Sequence, residues 1–275
     1  MAFFQKKQKD AAAELESIRE ERRYLLWRNS DFFLREAYKT TRTNVMFSLA
    51  GKEGCSVIAV TSSLQSEGKS ITAINLAMTF ADMGSRTLLV DCDLRKPKVN
   101  RLLEVAAPVG LTDVLVDRKL LTKAVHRFSE KKQLWTISSG KIPPNPSELL
   151  NSESMRALMS ELKQSYDYIL LDTPPVDVVT DAMVLAPLVD GFLFVVRAGK
   201  SDRRAVAHSL GQLEYANARV LGVVFNGSGV SGGYGYKKYG YKRYGYGRYG
   251  YGRYGYGYAQ AAQQNAQNPA QQTER

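Results

Sequence analysis

Short hydrophobic runs alternate with amphipathic segments along most of the chain. Four runs are each followed by polar or Gly/Pro residues and then by a helical pattern: Ser56–Thr61, Thr87–Val90, Tyr168–Leu171 and Gly191–Val196, with a fifth run at Val220–Phe225. Buried strands that alternate with helices predict an α/β fold, a mostly parallel sheet with helices on both faces. Such sheets bind ligands at the carboxyl ends of their strands, so the residues just after each run are the first place to look for chemistry.

Two helices are predicted ahead of the first strand. Residues 5–27 are rich in Ala, Glu, Arg, Lys and Leu and predict a charged helix, and residues 31–49 predict a second one. The expected organisation is a charged N-terminal helix within 1–30, one domain over 31–228 and a tail over 229–275. No run approaches the roughly 18 apolar residues of a membrane span, so membrane association is expected only through a partner or a surface.

The tail contains five consecutive tyrosine-rich pentapeptides that hold 11 of the 16 tyrosines of the chain. Frequent glycine and the absence of aliphatic residues between 234 and 258 predict a segment that stays unfolded and accessible. A repeated hydroxyl on a flexible tether suits an enzyme substrate, and an aromatic, basic tail that adheres to RNA, membranes or itself is the alternative. The candidate acceptors are Tyr234, Tyr236, Tyr239, Tyr241, Tyr244, Tyr246, Tyr249, Tyr251, Tyr254, Tyr256 and Tyr258.

The formal net charge of +11 is concentrated in the tail. Residues 229–275 hold seven of the 38 Lys/Arg and one of the 27 acidic residues, which leaves only +5 for the rest of the chain. Cys55 and Cys92 adjoin apolar runs without ligand spacing, so free buried thiols and a cytosolic protein are expected. His126 and His208 have no Cys or Asp at ligand spacing and are expected to be solvated or packed.

A phosphate-binding loop is predicted after the first strand. Thr61–Ser70 lies between a hydrophobic run and a helical pattern and ends in Gly68-Lys69-Ser70. In such loops the backbone N–H groups and the helix N-terminus bind phosphates, the lysine reaches the β/γ oxygens and the hydroxyl ligates magnesium. The first glycine of the pattern is absent, because Ser63 occupies its position.

Carboxylates stand at the ends of two further strands. Asp91 and Asp93 follow the second run, and Asp172 follows the third. An ionised carboxylate at the end of a buried strand is costly unless a cation meets it, and a magnesium–nucleotide complex supplies one. In the alternative interpretation, Asp91 and Asp93 cap the following turn and pair with Arg95.

Together these motifs resemble the bacterial protein-tyrosine kinases of capsule and exopolysaccharide synthesis. The resemblance runs from about Glu36 to Tyr258 and includes Gly140–Leu150, Asp172-Thr-Pro-Pro175 and the tyrosine-rich tail. It implies a P-loop NTPase fold with the deviant Walker motifs of that family. Walker A would be Ser63–Ser70, Walker A′ would be Leu88–Arg95 and Walker B would be Ile169–Asp172.

The resemblance assigns roles to individual residues. Lys69 would contact the β/γ-phosphates, Ser70 would ligate Mg²⁺, Asp172 would act in the second shell of the metal, and Asp91, supported by Asp93, would be metal partner and base. Such a base is needed because a tyrosine hydroxyl of pKa about 10 is protonated at neutral pH. The residues implied for ATP binding are Gln65, Ser66, Glu67, Gly68, Lys69, Ser70, Ile71 and Asn226, with Asn226 at the adenine.

The chain departs from the family pattern at three places. Gln65-Ser66 stands where Pro-Gly is usual, Asn100 stands where a histidine is common, and Lys39 replaces the first arginine of a Glu-x-x-Arg-x-x-Arg helix. In the family this helix docks on the neighbouring subunit to build a ring, which implies an oligomerisation face of Glu36, Lys39 and Arg42. A solvated helix face with an internal ion pair is the alternative.

The expected function is ATP-dependent autophosphorylation of the tail tyrosines between subunits, which would regulate capsular or exopolysaccharide synthesis or export. The implied partners are a second copy in a ring, a separate membrane polysaccharide chain-length protein that recruits the kinase to the inner face of the membrane, protein substrates and a tyrosine phosphatase. One alternative is a partitioning or division-site ATPase, whose signature lysine would stand at Leu64. The other is a nucleic-acid-binding protein that acts through its tail.

Overall fold

The computed structural model describes residues 15–27, 30–128 and 132–227. Within them, seven strands form one sheet in the order β3-β4-β2-β5-β1-β6-β7, and every adjacent pair is parallel except β3–β4. The strands are β1 Ser56–Ser62, β2 Thr87–Asp91, β3 Val125–Arg127, β4 Leu134–Ile137, β5 Tyr168–Asp172, β6 Gly191–Arg197 and β7 Val220–Asn226. The predicted mostly parallel α/β sheet is confirmed.

Helices cover both faces of the sheet. They are α1 Phe32–Ser48, α2 Lys69–Asp82, α3 Val99–Leu103, α4 Leu111–Val116, α5 Leu121–Ala124, α6 Pro146–Leu150, α7 Glu153–Ser165, α8 Asp181–Val184 and α9 Arg203–Tyr215. Alternate residues of β1 pack into two different hydrophobic cores, one on each face of the sheet. Val57 and Ala59 belong to the core that contains α7, and Ile58 and Val60 belong to the core that contains α2. The central strand is therefore buried on both sides, which is why it reads as a continuous hydrophobic run.

All five predicted strands are present, and each is one residue longer than its hydrophobic run. The added residues are Ser62, Asp91, Asp172, Arg197 and Asn226. The short strands β3 and β4 were not predicted, because only three and four residues pair there and β3 is not fully buried. The carboxyl ends of the strands therefore carry polar side chains on residues that still belong to the sheet.

The N-terminal segment departs from its prediction. Residues 15–22 are helical, but the helix ends there instead of continuing to 27 or 30, and residues 1–14 lie outside the described part. Leu25 and Leu26 turn into the core beside α2, and the Leu26 N–H donates to Asn75 Oδ1 at 2.9 Å. Burial of these two leucines outweighs continuation of a charged helix.

Other expectations can be compared directly with the fold. Helix α1 begins after Asp31, whose carboxylate accepts from the N–H groups of its first turn, and both cysteines are free and buried as predicted. His126 lies in β3, whereas His208 contacts the Asp177 carboxylate, a pairing that local sequence spacing could not show. Among the described helices, none is long and hydrophobic enough to span a bilayer.

Candidate functional site

The predicted phosphate loop connects β1 to the N-terminus of α2. Gly68 caps the helix with φ +98°, and a Cβ built there would come 2.6 Å from the side-chain nitrogen of Asn226, so only glycine fits. Lys69 and Ser70 begin the helix and are buried. The strand–loop–helix context that the phosphate-loop prediction requires is therefore present.

Three carboxylates converge on this loop. Asp91 and Asp172 are paired residues on the adjacent strands β2 and β5, and Asp93 Oδ2 accepts from Lys69 Nζ at 2.9 Å. Asp91 is fully buried, and its oxygens accept from the backbone N–H groups of Asp93 and Val99 at 3.2 and 3.1 Å. The register of the sheet thus places the two predicted strand-end carboxylates side by side.

The protonation of this cluster reflects its burial. Burial raises the pKa of Asp91 well above its usual value, and the charge of Asp172 raises it further. Burial also raises the pKa of Asp172 to about 6, although Lys69 and the Ser70 hydroxyl partly oppose this. The pKa of Lys69 is lowered by burial but raised on balance by Asp172 and Asp93, so its ammonium is retained. Within this group of four side chains one ammonium faces three carboxylates, and burial favours the protonated forms of Asp91 and Asp172.

Asp172 is the most exceptional member of the cluster. Its side chain is fully buried, yet neither carboxylate oxygen has a hydrogen bond of good geometry from the described residues. Buried polar atoms are nearly always satisfied, so an orphan carboxylate at a strand end indicates a missing partner. The carboxylate of Asp172 and the hydroxyl of Ser70 are oxygen ligands of the kind that Mg²⁺ prefers. They lie beside an anion-binding loop, where substrate phosphates would provide further oxygens. Among the described residues, no group of three or more His, Cys, Asp or Glu side chains is arranged to hold a metal ion by itself.

The loop that follows Asp93 is anchored by a contact that the sequence did not reveal. Arg95 donates through Nε and Nη2 to both oxygens of the buried Asp181, at 2.8 and 3.0 Å, and Ser147 donates to the same carboxylate. The expected alternative pairing of Arg95 with Asp91 or Asp93 is therefore wrong. Asp93 does cap the turn, because its Oδ1 accepts from the Lys96 N–H at 3.0 Å.

A cavity of about 930 Å³ opens over the phosphate loop and Asp93, whereas the fully buried Asp91 and Asp172 are not among the residues that line it. Its lining contains all eight residues that were expected at the nucleotide, from Gln65 to Ile71 together with Asn226, and also contains Asp93. Glu21 and Tyr24 of the N-terminal segment form another part of the wall, and Glu21 pairs with Lys98 at 2.8 Å. This wall was not predicted, since its contacts join residues that are distant along the chain.

The three residues of the predicted oligomerisation face behave differently from one another. Lys39 pairs with Glu36 at 2.7 Å on the exposed surface, as the alternative interpretation required. Arg42 instead turns toward its own chain, where Nη1 donates to the Thr79 carbonyl at 2.8 Å. The oligomerisation face remains a prediction, and the tail tyrosines lie outside the described residues.

Comparisons with known proteins agree with this site. A sequence family described as an AAA domain matches residues 55–190. The chain is 40% identical over 203 residues to the tyrosine-protein kinase YwqD of Bacillus subtilis. The aligned region covers 73% of this chain and 85% of YwqD. The kinase domain of the Escherichia coli tyrosine kinase ETK superposes with a TM-score of 0.66 and 30% identity, covering 74% of this chain and 80% of that one.

A cell-division protein shares the fold at greater distance. The MinC:MinD complex of Aquifex aeolicus matches with a TM-score of 0.52 and 25% identity, covering 62% of this chain and 68% of that chain. Both the identity and the coverage are higher for the kinases. The phosphate loop, the paired strand-end aspartates and the extent of the match to YwqD together show that the chain belongs to the family of bacterial tyrosine-protein kinases.

Proposed function

We propose that this protein is an ATP-dependent protein-tyrosine kinase that phosphorylates its own C-terminal tyrosines. The observation that carries the proposal is the buried carboxylate of Asp172. It lies beside Lys69 and Ser70 of the phosphate loop, and neither of its oxygens has a hydrogen bond of good geometry from the described residues. Magnesium bound there would neutralise the charge that develops on the transferred phosphoryl group. Family membership supports transfer to tyrosine.

The residues of the site divide the work of the reaction. Lys69 and the N-terminus of α2 would bind the β/γ-phosphates, and Ser70 and Asp172 would hold Mg²⁺, which would supply positive charge to the phosphates. The tyrosine oxygen forms a bond to the γ-phosphorus as the bond to the β–γ bridging oxygen breaks, and the hydroxyl proton passes to Asp91. Burial and the charge of Asp172 raise the pKa of Asp91, which makes its ionised carboxylate a stronger proton acceptor than an exposed aspartate.

The acceptors are the 11 tyrosines between Tyr234 and Tyr258, and transfer occurs between subunits. As a flexible Gly-rich chain, the 20 residues from Asn226 to the middle of the tail span about 25 Å, enough to reach a neighbouring site. The neighbour belongs to a ring built through Glu36, Lys39 and Arg42. Phosphorylation then regulates capsular or exopolysaccharide synthesis, with a membrane chain-length protein as activator at the inner face of the membrane and a phosphatase that resets the tail.

A single substitution tests the site. Lys69→Met should abolish labelling by magnesium and ATP, read on an anti-phosphotyrosine blot, because the charge that meets the phosphates is lost. Lys132→Met is the matched control, since Lys132 pairs with Asp82 away from the cavity and its loss should leave labelling intact. A Lys69→Met protein that still labels itself would refute the assignment.

Mixed chains test the direction of transfer. A Lys69→Met chain with its tail intact is incubated with an active chain from which residues 229–275 have been removed. Phosphate should appear on the Lys69→Met chain, because its tail is then the only acceptor segment and its own site is inactive. Absence of labelling, where wild type labels itself, would confine transfer to one chain. Steeply salt-dependent binding to single-stranded nucleic acid without labelling would favour the tail-binding alternative.

A further inference from the structure

The phosphate loop is built around a buried carboxylate. Glu67 is fully buried and accepts hydrogen bonds from the Ser63 hydroxyl at 3.0 and 3.1 Å and from the Leu64 N–H at 2.8 Å. The hydroxyl of Ser201, in the segment between β6 and α9, donates to the same carboxylate. Three donors from two segments of the chain therefore meet on one side chain.

A carboxylate at this position opposes the charge that an anion-binding loop needs. Its negative charge lies within a loop whose ligand is also negative, so its presence weakens phosphate binding electrostatically and requires a compensating role. A buried carboxylate that is fully hydrogen-bonded fixes the geometry of its donors, and removal of such a group leaves each donor unsatisfied. The contacts of Glu67 therefore indicate an architectural role within the loop.

Two residues of the loop that contains Glu67 stand where glycine is usual, Ser63 in the general phosphate-loop pattern and Ser66 in the family. Ser66 has a left-handed backbone with φ +61°, a conformation that favours glycine. The Ser66 carbonyl accepts from Arg197 Nη1 at 3.1 Å, and the Arg197 N–H donates to Ser201 Oγ at 2.7 Å. Side-chain contacts thus hold a loop that lacks both of these glycines.

We propose that Glu67 is a positioning residue for nucleotide binding, which holds the phosphate loop in its binding conformation through Ser63, Leu64 and Ser201. Ser201 also ties the loop to the end of β6, from which Arg197 and Lys200 reach the cavity. The inference rests on the proposed nucleotide site and adds to it the internal support that this particular loop sequence requires.

The test is a titration of the whole protein with a fluorescent ADP analogue in the presence of Mg²⁺. Glu67→Ala should weaken binding about tenfold or more, because three donors lose their acceptor, and Ser201→Ala should weaken it about threefold. Glu67→Gln keeps one acceptor oxygen, so its loss of affinity should lie between the losses of Ser201→Ala and Glu67→Ala. Glu161→Gln, at an exposed pair with Arg118, is the control and should bind as wild type does.

A second loop sequence distinguishes a positioning role of Glu67 from a general contribution of Glu67 to stability. The triple change Ser63→Gly, Gln65→Pro and Ser66→Gly gives the loop the first glycine of the general phosphate-loop pattern and the Pro-Gly that is usual in the family. In this background Glu67→Ala should weaken binding less than about threefold. An equal loss in both backgrounds, or wild-type affinity of Glu67→Ala in the native loop, would overturn the proposal. If Glu67→Ala does not fold, Glu67→Gln is compared in both loops with the same criterion. Failure of wild type itself to bind the analogue would instead refute the proposed nucleotide site.

Discussion

Substitution of Asp172 by asparagine should stabilise the ligand-free protein while abolishing kinase activity. Asp172 is fully buried beside the buried Asp91 and has no satisfying hydrogen bond among the described residues. Asparagine has nearly the same shape as a protonated aspartate and carries no charge. The change therefore removes the cost of an ionised carboxylate that Lys69 and the Ser70 hydroxyl offset only in part.

The magnitude follows from the shift in pKa. Burial moves the pKa of Asp172 from 3.8 to about 6, a shift of roughly two units at about 1.4 kcal/mol each, which amounts to about 3 kcal/mol. Because the folded protein holds this proton more tightly than the unfolded chain, wild-type stability falls as the pH rises from about 4 to 6. The advantage of Asp172→Asn should accordingly grow from about 1.5 kcal/mol at pH 5 to about 3 kcal/mol above pH 7.

Urea denaturation of both proteins without nucleotide or magnesium, at several pH values, measures this difference. Asp167→Asn is the control of opposite sign. Arg86 lowers the pKa of Asp167, so their pairing contributes stability above the unfolded pKa of Asp167. Loss of this exposed pair should lower the stability only slightly at neutral pH. An Asp172→Asn protein that is less stable than wild type at pH 7.5, or whose advantage does not vary with pH, would refute the reasoning.

Three further predictions concern the base, the tail and the loop. Asp91→Asn should lower transfer to tyrosine by about 10²–10⁴-fold, because a proton acceptor is lost; wild-type rates would move the base to Asp93. The tail segment 229–275 carries a formal +6, so three or four phosphotyrosines should neutralise it, and assemblies followed by light scattering should dissociate gradually as phosphate accumulates. Dispersal by one modified tyrosine would contradict this charge count. Ser66→Gly should raise the free energy of unfolding by up to about 1 kcal/mol, because residue 66 has a left-handed backbone that favours glycine. The control Ser165→Gly in α7 should lower it, and equal effects of the two changes would exclude backbone strain at residue 66.

Much of the site could be predicted because it depends on local sequence. A hydrophobic run fixes where a parallel strand ends, and the next residue, as at Asp91 and Asp172, then lies at the ligand-binding edge of the sheet. The side-by-side placement of these two carboxylates needed only the register of two adjacent strands. Their raised pKa values also follow from that register, since neither strand end reaches solvent.

The features that were missed all depend on contacts between distant parts of the chain. Arg95 meets Asp181 across 86 residues, and Glu67 meets Ser201 across 134. No periodicity or spacing encodes such pairs. The short strand β4 was missed for a related reason, since its position is set by pairing with β2 rather than by a hydrophobic run of its own. Burial of Leu25 likewise ended a helix that local propensity would have continued.

The position of the last strand has a kinetic consequence. Strand β7 ends at Asn226, and Asn226 and Gly227 both line the cavity, so the tyrosine-bearing segment is covalently attached at the edge of the proposed nucleotide site. The reaction rate of a tethered group depends on its local concentration and not on its concentration in solution. For a short flexible tether the local concentration is on the order of millimolar. If the proposed ring forms, the initial rate of labelling per chain within it should be unaffected by dilution, and dissociation of the ring would change the kinetics from first to second order.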